Sequence, residues 1–105
     1  MLMAEAQFRV AVVADLESPH VVAAGEIDLA NVGEFQDVMG KAAADSATLT
    51  VDLAGVSYCD SAAVRALFAL AATTELTMIV ASEGPIRTLL AISGLDRVAT
   101  VVTKE

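Results

Sequence analysis

The sequence predicts an α/β fold, a mixed and mostly parallel sheet with an antiparallel N-terminal edge, packed by helices. Three observations lead there. Two alternating apolar runs near the start are joined by a turn, and the later β-type runs are separated from one another by segments of helical periodicity. The composition, 56% hydrophobic but only 4% aromatic, supplies a core of Val, Leu, Ile and Ala, ordinary for a sheet covered by helices. A chain of 105 residues makes one domain, 1–105, large enough for a core without disulfide or metal staples.

The elements follow in order. Over Gln7–Ala14, Phe8, Val10 and Val12 alternate with Arg9 and Ala11, the pattern of a half-exposed strand. A turn over Asp15–Pro19 leads to a second strand, Val21–Ile27, with His20 read as a solvated loop residue. Asn31 and Glu34 have capping-box spacing, so a helix is expected from Val32 to about Ala44. It should bury Val32, Phe35, Met39 and Ala42 and leave Glu34, Asp37 and Lys41 in water. The central strand alternates Leu49, Val51 and Leu53 with Thr50 and Asp52, and Ala54-Gly55 is expected to end it. A helix starts at Asp60-Ser61. Leu76–Ala81 reads as a strand covered on both faces, because Met78-Ile79-Val80 is continuously apolar. Pro85 suits the first turn of a short helix carrying Ile86, Leu89 and Leu90 inward, Gly94 suits its stop, and Val98–Val102 is the last strand.

Charge narrows the function. Six basic against fourteen acidic residues give −8, which repels phosphate backbones and anionic membrane surfaces, so neither nucleic acid nor membrane is an expected partner. No apolar run approaches the roughly 18 residues that cross a bilayer, and the N-terminus lacks signal-like features, which together suggest a cytoplasmic protein. One cysteine, Cys59, and one histidine, His20, are too few for a metal cluster or a catalytic dyad, and no cofactor motif occurs. A serine nucleophile at Ser61 would lack both a base and a Gly-x-Ser-x-Gly elbow, so no catalytic residue and no enzyme activity are expected.

The segment around Asp60-Ser61 carries the functional expectation. Both are favoured N-cap residue types, and a hydroxyl there sits beside the positive end of a helix dipole. At about 100° per residue, Val64, Leu67, Phe68, Leu70 and Ala71 should face the sheet, while Ala62, Arg65, Ala66, Ala69 and Thr73 should face outward. That second face, mostly small side chains, suits a docking partner. On this projection Ala66→Glu should leave the fold intact and abolish binding.

Gly25-Glu-Ile-Asp28, Val51-Asp-Leu53, Asp60-Ser61 opening a helix, and Ile92-Ser-Gly-Leu95 together resemble the pattern of STAS domains, specifically the anti-sigma factor antagonists. The resemblance implies that Ser61 is a phosphoacceptor, with Asp60 the adjacent acid and Asp28 the acid ending the second strand. It implies that the unphosphorylated protein binds an anti-sigma factor that is also a serine kinase, releasing a sigma factor in a stress response. Phosphorylation of Ser61 would switch binding off, and a protein phosphatase acting on phospho-Ser61 would restore it. Asp28, Asp60, Ser61, Ala62, Arg65, Ala66 and Ala69 would form the contact surface. The sequence departs from the usual Asp-Ser-Ser/Thr-Gly pattern, because Ala62 and Ala63 fill the last two places. An alternative function within the same family is a non-switching STAS subunit of a transporter or lipid-trafficking complex.

Overall fold

The computed structural model describes residues 8–13, 19–44 and 46–104. Strands β1 (Phe8–Val13), β2 (His20–Ile27), β3 (Thr48–Cys59), β4 (Glu75–Ala81) and β5 (Thr100–Lys104) form one sheet in the order β1-β2-β3-β4-β5. β1 runs antiparallel to β2, and the remaining pairs are parallel. The predicted α/β class and its antiparallel edge are both present. Of the expected turn over Asp15–Pro19 all but Pro19 lies outside the described residues, as do Gln7 and Ala14 of the first strand.

Helices α1 (Val32–Ala43), α2 (Ser61–Ala71) and α3 (Pro85–Ser93) connect the parallel strands. Strand order equals chain order, so each crossover steps the same way across the sheet. Right-handed crossovers that never reverse direction place every helix on the same face. The burial pattern agrees. Val21 and Ala23, Leu49, Val51 and Leu53, and Leu76, Met78 and Val80 are buried in one cluster with Phe35 and Met39 of α1, Ala66 and Leu67 of α2 and Leu90 of α3. Their alternates Val22, Thr50, Asp52, Thr77 and Ile79 are exposed or half-buried. The expectation that β4 is covered on both faces is therefore corrected: Ile79 belongs to the open side of a sheet wound in one direction.

Three boundaries differ from the sequence reading. His20 is the first residue of β2, half-buried and paired with Val13 and Thr50, where a loop was expected. The last strand starts at Thr100, because a 3-10 turn over Leu95–Arg97 takes up the chain after α3 and buries Leu95. β3 does not stop at Ala54-Gly55 but continues to Cys59 alongside β2.

That continuation depends on two irregularities. Val22 pairs with Asp52 but Ala24 with Gly55, and Gly25 pairs with Val56 but Glu26 with Tyr58. Each step inserts one extra residue on the β3 side, the signature of a bulge. At the first, Asp52 Oδ1 accepts from the Ala54 N–H at 2.9 Å; at the second, Gly25 takes φ 94°, which only glycine adopts without strain. The bulges let Cys59 finish opposite Ile27, and Asp60 N–H then donates to the Ile27 carbonyl at 3.1 Å.

The helix ends are mostly as expected. Pro85 stands at the first turn of α3, and Gly94 closes it in the left-handed conformation at φ 87°. α1 begins at Val32 behind Asn31, but the capping box does not form. Asn31 turns back toward the strand instead: its Oδ1 accepts from Asp28 N–H at 3.0 Å, and its Nδ2 donates to the Glu26 carbonyl at 2.9 Å.

Candidate functional site at the carboxyl ends of β2 and β3

Asp28 and Asp60 each follow the last residue of a parallel strand, and the paired register brings those strand ends together. Asp28 organises its own turn. Its carbonyl accepts from Asn31 N–H at 3.0 Å and Val32 N–H at 2.8 Å, and its Oδ1 accepts from Ala30 N–H at 3.0 Å.

Asp60 is the N-cap of α2 and joins two elements. Oδ1 accepts from the Ala62 and Ala63 N–H groups at 2.9 and 3.2 Å, satisfying two of the helix's free donors. Oδ2 accepts from Leu29 N–H at 3.0 Å, across to the β2–α1 turn. A single carboxylate thus pins the start of α2 to the loop that carries Asp28. Ser61 is the first residue of α2 rather than its cap, and it is exposed. Its hydroxyl stands on a helix N-terminus, in a frame fixed from both sides by Asp60.

The remaining site residues divide. Arg65 and Ala69, one and two turns along from Ser61, are exposed and continue an outward stripe. Ala62 and Ala66, expected to face outward, are buried at 9% and 3%. The buried face of α2 is formed by Ala62, Ala63, Ala66 and Leu67, about 100° round from the face projected, because α1 packs beside α2 on the alanine side. Gln36 and Met39 of α1 line a shallow cleft with Ala66, Ala69 and Leu70. Ala66 is small where a neighbouring helix lies against it, and Val64 and Phe68 are left half-exposed. Ala63 is fully buried, so its methyl group adds nothing to the outer surface.

Two features of this end were missed in the sequence. Leu29 is 74% exposed at the tip of the β2–α1 turn, held by Asp60 through its backbone. A groove also opens between the last residues of β3 and helix α3, lined by Tyr58, Cys59, Ile86, Leu89 and Ile92. The signal for it was available: Ile92 is apolar but lies off the stripe that buries Ile86 and Leu90. Cys59 is a free thiol that burial, and secondarily the Asp60 carboxylate, push up to about 11. Among the described residues no group of three or more His, Cys, Asp or Glu could hold a metal ion, and no helix is long and apolar enough to cross a membrane.

A one-way-wound α/β sheet with an antiparallel first strand and three connecting helices is the architecture of a STAS-type module. Residues 10–103 match the family model described as Mlab, STAS domain, and the chain belongs to the STAS domain family. Among solved structures it is similar to an anti-sigma factor antagonist from Mycobacterium paratuberculosis, at 22% identity and a TM-score of 0.82, with 96% of this chain and 90% of that chain covered. It is also similar to the anti-sigma factor antagonist SpoIIAA in its unphosphorylated form, at 14% identity and a TM-score of 0.60, covering 92% and 88%. A third similarity is to an uncharacterized protein with a SpoIIAA-like fold from Shewanella loihica, at 9% identity and a TM-score of 0.62, covering 100% and 91%. At these identities the likeness establishes the fold. Comparison with curated proteins gives no match.

Proposed function

We propose that this protein is an anti-sigma factor antagonist that works by partner switching. In this reading the unphosphorylated form binds an anti-sigma factor with serine kinase activity, and phosphorylation of Ser61 ends the complex. The supporting observation is the placement of Ser61, an exposed hydroxyl on the first residue of α2, beside Asp60 and the turn that carries Asp28.

The physics of the switch follows from that placement. A phosphoserine adds about −1.5 to −2 charge. The dipole at the start of α2 tolerates an anion, so the fold survives modification. Asp60 already occupies the Ala62 and Ala63 N–H groups, however, and leaves them unable to neutralise the phosphate fully. A partner seated over Ser61 would have to desolvate a dianion next to two carboxylates, at a cost of several kcal/mol. The contact surface in this reading is Asp28, Asp60, Ser61, Arg65 and Ala69, the exposed or half-buried members of the expected set. A phosphatase acting on phospho-Ser61 resets the switch.

The deciding experiment incubates the protein with the anti-sigma factor and ATP, maps incorporated phosphate, and compares binding of the wild type with Ser61→Asp. Phosphate on Ser61 and loss of the complex in Ser61→Asp are expected. The match to the family model described as Mlab, STAS domain keeps a second reading open, a STAS subunit held constitutively in a transporter or lipid-trafficking complex. Such a subunit would keep its partner in Ser61→Asp and take up no phosphate.

A further inference from the structure

The β2–α1 turn is folded almost entirely on itself. Asp28 N–H donates to Asn31 Oδ1 at 3.0 Å, Ala30 N–H to Asp28 Oδ1 at 3.0 Å, and the Asn31 and Val32 N–H groups to the Asp28 carbonyl at 3.0 and 2.8 Å. Asn31 Nδ2 ties the turn back to the Glu26 carbonyl at 2.9 Å. Of the consecutive N–H groups from Asp28 to Val32, only that of Leu29 is satisfied from outside, by Asp60 Oδ2 at 3.0 Å. Among the described residues this is the one hydrogen bond that joins residues 28–31 to Asp60 or α2, and it faces solvent. Opening it leaves a turn that keeps its own shape and an N–H that water can take up.

The acceptor stands beside the switch residue. Ser61 follows Asp60 directly, with Cα atoms about 3.8 Å apart. Both Asp60 oxygens are committed: Oδ1 holds the Ala62 and Ala63 N–H groups at 2.9 and 3.2 Å, and Oδ2 holds Leu29. A phosphate on Ser61 brings about −1.5 to −2 charge and three acceptor oxygens to the same helix start. It repels the Asp60 carboxylate and competes with it for the Ala62 and Ala63 donors. The two oxygens belong to one planar group, so a rotation that relieves the repulsion disturbs all three bonds together. The helix donors then have a substitute acceptor in the phosphate. Leu29 has none.

We propose that Asp60 is the link by which phosphorylation of Ser61 unlatches the β2–α1 turn, so that Leu29 N–H loses its acceptor and the turn leaves the position it holds in the unmodified protein. The coupling rests on the partner-switching reading for Ser61 as the modified residue, and it adds a change of shape to the electrostatic effect. Leu29, 74% exposed at the tip of the turn, and Asp28 are held in place beside the Ser61 end of α2 only while the latch is closed. Phosphate thus removes a preorganised contact surface as well as placing charge on it.

The test uses the full chain, isotopically labelled, with phosphoserine installed at position 61 during translation so that no kinase is needed. Amide exchange is compared with and without the phosphate, in the native sequence and in Asp60→Asn. In the native sequence phosphoserine should speed exchange at Leu29 about tenfold, the worth of one charge-assisted bond, while Ala30, Asn31 and Val32 change by less than about twofold. Added negative charge alone slows base-catalysed exchange, so acceleration reads loss of the bond and not the field of the phosphate. In Asp60→Asn, where Leu29 has already lost its acceptor, phosphoserine should add nothing further. Unchanged exchange at Leu29, equal acceleration across residues 28–32, or acceleration that persists in Asp60→Asn would each overturn the proposal. Failure of the anti-sigma factor to phosphorylate Ser61 would sink the switching reading, whereas the exchange data alone decide the coupling.

Discussion

Asp60 does more for the site than a cap requires, and its two oxygens can be separated by mutation. In Asp60→Asn the amide oxygen can still accept from Ala62 and Ala63, but the NH2 group cannot accept from Leu29 N–H. Helix α2 should therefore stay capped while the Leu29 turn loosens, which amide exchange at Leu29 reads directly. Asp60→Ala loses both links and should cost about 0.5–2 kcal/mol in denaturant unfolding from the cap alone. Cys59 gives a second prediction at this scale. With its thiol pushed up to about 11, the thiolate at pH 8 is about a hundredfold scarcer than for an ordinary cysteine, and alkylation by iodoacetamide should slow in proportion. The stability consequence has a definite sign. A folded-state value above the unfolded one means that stability from this group is intact below about pH 9 and falls as pH rises toward 11.

At the scale of the element, helix α2 shows how a correct helix can be assigned the wrong face. Its boundaries and its Asp60-Ser61 start were legible, because cap chemistry is local. Which side meets the sheet was not, because an alanine-rich stripe reads equally as a surface and as a close helix contact. Burial of Ala66 reverses the expected effect of Ala66→Glu: a carboxylate forced between α1 and α2 should destabilise the fold by several kcal/mol, seen as a large drop in the urea midpoint. Ala69→Glu takes over as the surface variant. Ala69 is exposed on the Ser61–Arg65 stripe, so this variant should unfold within about 0.5 kcal/mol of wild type and still weaken partner binding by tenfold or more. β3 makes the same point for strands. Ala54-Gly55 carries a turn signal, yet β2 continues to pair through two bulges and extends the strand to the site.

Over the whole molecule, the excess of carboxylates sets an electrostatic load that the fold carries everywhere. At −8 the compact state repels itself, so added sodium chloride should raise the thermal midpoint through screening, a trend that calorimetry over a salt series would follow. The two ion pairs among the described residues do little against this: Lys41–Asp37 is on the surface, and Lys104–Asp52 is long at 3.6 Å. The sequence by itself determined the α/β class, the antiparallel edge, the order of elements and the start of a helix at Asp60-Ser61, because periodicity, turn residues and cap residues act over a few neighbours, whereas Asp28 was singled out only by the family resemblance. Only the tertiary structure decided that all helices share one face, that β3 bends through two bulges to set Asp60 beside the Asp28 turn, that Ala62 is buried and Ala66 lies against α1, and that Tyr58 and Ile92 border one groove. Those outcomes depend on crossover handedness, strand register and helix packing, which join residues far apart in the chain and leave no periodic trace in any one segment.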